Sequence, residues 1–281
     1  MTATDPDGPT TGEAATSRGE YPPRGHVLRR MALEVVPVDE GLRMRFPAWP
    51  ALCHPDGGVR TGIVVTAADV VGGMMAARSA HPDWIATSGL NLDQRRPACG
   101  GMVQVDCRVL RVGRTAVVLD HEVRDDKGEV GHGTMMFSRL VRRDHNPTMA
   151  EAAAGPVRFA TDGPVSDEPI ADQVGVRNIE PGAVELDLTD VVRNSMGTVQ
   201  GGMLALVSEL AAESATAAQV GARARVLDLS LDYVHTAKVG PVRAVAEVVR
   251  LDGRTARLRV EVHDAGAERL SVIAHATAAA V

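Results

Sequence analysis

The stretch Asn194-Ser-Met-Gly-Thr-Val-Gln-Gly-Gly202, followed by Glu209, holds the residues best suited to chemistry in this chain. Two consecutive glycines at the start of a helix let a ligand approach the backbone closely, and the free N–H groups there favour developing negative charge. Such a nest suits an oxyanion, and one good oxyanion donor is worth roughly 10²–10³ in rate. Gln200 keeps a donor and an acceptor but carries no proton at neutral pH, so it can polarise a carbonyl but not act as acid or base. Glu209 would lie about 10 Å along the same helix from Gly202, too far to meet a substrate held at the N-terminus. A carboxylate on an antiparallel partner helix could reach it.

The chain supplies such a partner because it repeats itself. Gly113-Arg-Thr-Ala116 recurs as Gly253-Arg-Thr-Ala256, and Leu90-Asn-Leu-Asp93 resembles Leu229-Ser-Leu-Asp232 with a shift one residue smaller. In the first of these registers Gly57-Gly-Val-Arg-Thr-Gly62 lies over Gly197–Gly202, and Asp69 lies over Glu209. Agreement at three separate places indicates an internal duplication.

The second copy resembles the hotdog acyl-CoA thioesterases of the phenylacetate-pathway and hydroxybenzoyl-CoA branch, whose pattern reads N-x-x-G-x-x-H-G-G-x6-D/E. Asn194, Gly197, Gly201, Gly202 and Glu209 fall at matching positions, and Gln200 stands where His is usual. The resemblance continues through Asp228-Leu-Ser-Leu-Asp-Tyr-Val-His-Thr-Ala-Lys-Val-Gly240 to the C-terminus. It implies a site shared between two hotdog units, here an intramolecular pseudo-dimer, with the Asn194–Gly202 segment facing Asp69. The mirror half-site would join Glu209 to His54, Arg60, Thr61 and Gly62. There His54 replaces Asn, Arg60 replaces His and Thr61 replaces the first Gly, so one competent site and one decayed or repurposed site are expected.

The implied reaction is hydrolysis of an acyl-CoA, or of an acyl carrier protein thioester, without a cofactor. Asp69 would activate water or attack directly. Gly201 and Gly202 would hold the oxyanion, Asn194 would position water or carboxylate, and Gln200 would bind the carbonyl. Both carboxylates are expected in a solvated cleft, where isosteric amides would leave the fold intact. The missing His and the altered first copy favour an alternative, a non-hydrolytic acyl-CoA or lipid-binding module. A hotdog hydratase would want a His general base in an arrangement that is not found. Read structurally, Asn194 is a turn residue and the glycine pair a tight turn before a helix.

These residues need two helices and the sheets that hold them. In each copy a short alternating strand (43–46; 183–188) leads into an apolar, proline-free helix (63–79; 203–218). A four-strand meander is then expected over 87–92, 102–112, 116–123 and 130–141, and over 225–234, 242–251, 256–263 and 269–280. The proline-rich stretch 144–172 reads as a linker between a first hotdog domain, 26–143, and a second, 173–281, with residues 1–25 a disordered tail. The expected fold is α+β, a double hotdog: two antiparallel sheets, each wrapped around a central helix, paired edge to edge into one continuous sheet. Further homo-oligomeric assembly is compatible with it.

A net charge of -6 and 2% aromatic residues argue against nucleic acid, which is bound by clustered cations and stacking rings. Cys53, Cys99 and Cys107 form no paired pattern, and no window reads as a membrane span or signal peptide, so a cytoplasmic protein without a membrane partner is expected. His121, His132, His235, His263 and His275 show no ligand spacing, and no metal is expected. Arg111, Arg114, Arg250 and Arg254, flanking the repeated hairpins, are candidates for CoA phosphates, although solvated turn residues are the plainer reading.

Overall fold

The computed structural model describes residues 21–39, 41–141, 157–159 and 167–281. In chain order the first copy contains α1 (Val27–Arg30), β1 (Glu34–Val38), β2 (Gly41–Pro47), α2 (Thr61–Ala80), β3 (Trp84–Gln94), β4 (Met102–Val112), β5 (Ala116–Asp125) and β6 (Gly128–Leu140). The two-residue strand β7 (Val157–Arg158) follows. The second copy repeats the series as α3 (Ile170–Gln173), β8 (Val176–Glu180), β9 (Ala183–Leu186), α4 (Gly201–Val220), β10 (Ala224–Tyr233), β11 (Val242–Asp252), β12 (Thr255–Asp264) and β13 (Arg269–Ala280).

All thirteen described strands join one antiparallel sheet, in the order β7-β1-β2-β4-β5-β6-β3-β10-β13-β12-β11-β9-β8. The seam between the copies is β3 against β10, with Leu90 opposite Leu231 and Leu92 opposite Leu229. The repeated Leu-x-Leu-Asp segments are therefore the two strands of a pseudo-twofold junction. Edge pairing removes the open edge that each sheet would otherwise expose. The fold is the expected double hotdog.

Within each copy the expected four-strand meander is not the observed order. Only β4, β5 and β6 follow one another; β3 crosses to the far side of β6, and β4 pairs with β2. Glycines on β6 permit this close approach, because a Cβ on Gly133 would lie 2.0 Å from the carbonyl oxygen of Asn91. Placing β3 at the edge leaves its other side free for β10. The strands β1 and β8, which open each sheet, and the four-residue helices α1 and α3 were not anticipated.

The central helices are apolar on nearly all sides because each is covered twice, by its own sheet and by the other helix. Met75, Val64 and Val71 of α2 and Leu206, Met203 and Ala211 of α4 are buried. The two helices run antiparallel and touch through small residues: a Cβ on Gly62 would lie 2.6 Å from Leu206 Cα, and one on Gly202 2.4 Å from Thr66 Cα. Gly72, unfavourable for a helix on propensity alone, has a packing reason, since a Cβ there would lie 2.6 Å from Met135 Cε. α4 ends at Gly221 in the left-handed conformation (φ 66°), the usual glycine stop. Contrary to the sequence reading, α2 is long and apolar enough to cross a membrane, but it is the mostly buried core helix of the first copy.

Two boundaries also move. In the expected linker, Val157–Arg158 pairs with β1, Phe159 N–H donates to Leu33 O (3.0 Å), and α3 starts at Ile170; residues 142–156 and 160–166 lie outside the described residues. In the expected tail, Pro22 and Gly25 carbonyls accept from Arg29 and Arg30, and the Tyr21 ring meets His26 edge-on at 5.3 Å. Residues 1–20 lie outside the described set.

Candidate active site

The loop leading into α4 is set by its own polar groups. Asn194 Oδ1 accepts from the N–H groups of Met196 and Thr198, and its Nδ2 donates to Thr198 Oγ1. Both ends of the amide are thus committed to the loop. Asn194 shapes the turn, as its plain structural reading has it, and it also lines the cavity beside Asp69, where its second Nδ2 hydrogen is the group that the expected role in positioning water would use.

Gln200 precedes the helix in an extended conformation and Gly201 is the first helical residue. Among the described residues, the N–H groups of Gly201 and Gly202 make no hydrogen bond, as the first positions of a helix leave them. Opposite them stands Asp69, from the middle of α2. A Cβ on Gly201 would lie 2.6 Å from Asp69 Oδ2, so glycine is required for this approach. Gln200 Nε2 lies 3.4 Å from the same oxygen, and Thr87 Oγ1 donates to Oδ1 at 2.7 Å. Asp69 is only 7% exposed. Burial pushes its carboxyl up to about 6, with the Thr87 bond opposing. Tyr233 donates to Gly201 O (3.1 Å), and burial, helped by the Asp69 charge, holds its phenol well above the ordinary range and so protonated.

These groups border a cavity of about 450 Å³ whose walls include Leu28, Ile85, Phe137, Phe159 and Leu204. Asp69, Thr87, Gln200 and Tyr233 converge at one place on a wall that is mostly apolar in area, as in small-molecule sites, with Ser88, Ser138, His235 and Thr236 also lining it. A larger cleft of about 840 Å³ lies elsewhere on the first copy, lined by Asp93, Asp106, Asp120, Glu122 and Glu129. Its arginines Arg43 and Arg108 are paired with Asp106 and Asp120, and it contains none of the motif residues. The smaller cavity is the better site on chemical grounds. None of Arg111, Arg114, Arg250 and Arg254 lines it, and Arg250 pairs with Asp252 at 3.2 Å.

The mirror half-site has the expected members but a different character. Glu209 is fully buried, and its carboxylate accepts the N–H groups of Thr61 (2.9 Å) and Gly62 (2.8 Å), the two donors equivalent to those left free at Gly201 and Gly202. Thr61 Oγ1 donates to Val226 O and accepts from Gln94. Arg60 binds Glu213 at 3.2 Å, and His54 Nε2 lies 3.3 Å from Glu209 and 3.5 Å from Glu213. Burial alone would raise the Glu209 carboxyl, but His54, Arg60 and Gly62 N–H outweigh it and hold it below the ordinary range. Burial and the Glu209 charge push Glu213 up to about 8. Glu209, expected among the catalytic residues and in a solvated cleft, is instead a sealed acceptor that fills the second oxyanion nest.

Three residues of this region carried no signal in the motif. Thr87 and Tyr233 come from strands, and Glu213 stands where the duplication places Gly73, a residue lining the open cavity. Position 73 leaves room on one side; position 213 fills it on the other.

Two hotdog repeats, fused through one sheet and holding their helices back to back, define a double-hotdog protein. The chain belongs to the thioesterase superfamily, whose model matches residues 57–132 and 196–270, one stretch in each copy and together more than half of the chain. No curated protein sequence matches it. Solved structures share the fold at low identity. The tesB protein of Mycobacterium avium subs paratuberculosis superposes with a TM-score of 0.62 at 16% identity, covering 88% of this chain and 95% of that one. The 12:0-ACP thioesterase of Umbellularia californica gives 0.57 at 12%, over 85% and 94%. An acyl-ACP thioesterase of Bacteroides thetaiotaomicron gives 0.53 at 13%, over 84% and 96%.

Proposed function

We propose that the chain hydrolyses an acyl-CoA or acyl carrier protein thioester to the free acid and thiol at one composite site between its two copies. The observation that carries this reading is an asymmetry. The N–H groups of Gly201 and Gly202 are free beside Asp69 at an apolar cavity, while their counterparts at Thr61 and Gly62 are consumed by Glu209.

In this reading the acyl chain enters the apolar cavity and the thioester oxygen meets the start of α4. Asp69, deprotonated above about pH 6, takes a proton from a water that attacks the carbonyl carbon. The tetrahedral oxyanion is held by the Gly201 and Gly202 N–H groups, with the Gln200 amide beside them. Its collapse breaks the C–S bond, and the proton held by Asp69 passes to the departing thiolate. Thr87 fixes one carboxylate oxygen so that Oδ2 faces the reacting atoms. The free thiols of Cys53, Cys99 and Cys107 accord with a cytoplasmic location.

The test is a panel of acyl-CoA and acyl carrier protein thioesters, followed with a thiol-detecting dye and, in parallel, by equilibrium binding. Catalytic thiol release above the uncatalysed rate supports the hydrolase. Tight, stoichiometric binding without thiol release would replace it by an acyl-thioester binding module.

A further inference from the structure

We propose that His54, Glu209 and Glu213 form a buried site for one first-row divalent cation, zinc being the best match, in the mirror half of the composite site. The three side chains converge so that one ligand atom from each lies within 4.8 Å of the others. Tetrahedral zinc with bonds of about 2.0–2.2 Å to nitrogen and oxygen sets its ligand atoms roughly 3.3–3.6 Å apart. His54 Nε2 lies 3.3 Å from Glu209 Oε1 and 3.5 Å from Glu213 Oε1.

An independent observation points to a ligand at this place. His54 Nε2 is buried and makes no hydrogen bond, although its side chain is only 7% exposed and faces both carboxylates. Its distances fall within reach of a hydrogen bond, but the angles do not, so this nitrogen faces two carboxylate oxygens without a well-directed bond to either. The carboxylates are already oriented. Gly62 N–H holds Glu209 Oε2 and Arg60 holds Glu213 Oε2, while Thr61 N–H and Val226 N–H add single bonds to the two Oε1 atoms. Such outer partners fix ligand direction and are part of a working metal site. One nitrogen and two carboxylate oxygens suit zinc or manganese rather than a soft ion, and the fourth position falls to water.

Arg60 is the charge that opposes a cation here. It sits on the far oxygen of Glu213, so it neutralises part of the carboxylate charge without occupying the ligand atom. Histidine and carboxylate ligands bind a cation only without their protons, so binding strengthens with pH. The site does not border the proposed substrate cavity, and its fate is independent of the hydrolytic reading.

The experiment uses the full chain, stripped with chelator and titrated with ZnCl₂ against a chromophoric competitor, then with CoCl₂ while the visible spectrum is recorded. The expected result is one equivalent bound at a Kd below about 10 μM at pH 7.5, with cobalt bands of a four-coordinate site. His54→Ala and Glu213→Gln should each weaken binding by more than the roughly 10–100-fold that losing a mere supporting partner costs. Zinc should raise the melting temperature of the wild type and not of the variants. If His54→Ala does not fold, Glu213→Gln, which keeps the side chain's size, decides. The proposal is overturned by the absence of saturable binding, or by one-equivalent binding that survives both substitutions. The latter would place the ion on a surface pair such as Glu261 and His263.

Discussion

Replacing the two helix carboxylates by their amides should separate activity from stability: Asp69→Asn should lose activity and gain stability, and Glu209→Gln should lose mainly stability. Burial pushes Asp69 from 3.8 to about 6, and at about 1.4 kcal/mol per pH unit this corresponds to roughly 3 kcal/mol, an upper bound because the cavity beside it admits water. The folded protein holds the proton more tightly than the unfolded chain, so this contribution is fully present below pH 3.8 and is lost as pH rises through about 6. Asp69→Asn removes the buried charge. At pH 8 the variant should be more stable by up to about 3 kcal/mol, or roughly 5 °C for a chain of this size, and at pH 4 the gain should vanish. Its rate of thiol release should fall by roughly 10²–10⁴ through loss of the general base. Glu209→Gln acts mainly on stability. Its amide turns a donor toward either Thr61 N–H or Gly62 N–H and removes the charge facing His54 and Arg60, which should cost roughly 3 kcal/mol of stability. Activity per folded molecule should fall less than about tenfold, below the loss expected of a general base. Thermal denaturation at pH 4 and 8, with initial rates at matched folded concentration, checks all four quantities. An Asp69→Asn variant that keeps most activity, or a Glu209→Gln variant that is as stable as wild type, would refute the assignment of the half-sites.

Three further outcomes follow from the same geometry. The kcat/KM of the wild type should fall with decreasing pH through a midpoint of about 6, because Asp69 must be deprotonated; a midpoint near 4 would mean that a different group acts as base. Thr87→Val removes the bond that opposes the burial effect on Asp69, so the acid limb should move above 6 and the rate at pH 7 should drop roughly tenfold; an unmoved limb would make Thr87 a packing residue. Gly202→Ala places a Cβ 2.2 Å from Thr66 Oγ1 and 2.4 Å from Thr66 Cα, forcing α2 and α4 apart, and should lower stability by roughly 2–3 kcal/mol in a denaturant titration.

The parts legible in the sequence were those written locally. The glycine pair, the apolar helices and the tight turns each depend on a few adjacent residues, and the register of the duplication carried Asp69 to the start of α4. The repeated Leu-x-Leu-Asp segments were visible as a repeat, and the structure makes them the seam. Strand order was not legible, because β3 pairs with β6 across a separation that no periodicity encodes. Thr87 and Tyr233 were missed for a related reason: a strand residue enters a site only through its register with neighbours. Glu209 was placed opposite the correct half-site, but its burial depends on Glu213, Arg60 and His54 closing around it. α1 and α3, at four residues each, are too short to show a helical period.

The altered first copy reads as a coherent set of replacements rather than as loss. Relative to the open half, Asn194 corresponds to His54, Gln200 to Arg60, Gly73 to Glu213 and Thr87 to Val226. Glu213 alone, set in the space that Gly73 leaves open, would be a buried unpaired charge, a defect worth roughly 3–5 kcal/mol when one partner of such a pair is missing. Arg60 supplies its counter-ion and the Val226 N–H a further donor, while Arg60 and His54 together offset the burial of Glu209. Glu209 and Glu213 each lean on Arg60 or His54, while Val226 contributes only its backbone N–H. Independent decay would leave orphaned charges in the core; here the carboxylates are partnered, and the buried nitrogens left over in the cluster are His54 Nε2 and Arg60 Nε. A duplicated, intramolecular pseudo-dimer permits this, because each half-site can change without its mirror changing too. Such a closed cluster at one end of the helix pair and an open cavity at the other is the arrangement expected if one half keeps the chemistry and its counterpart fixes the helices that position it.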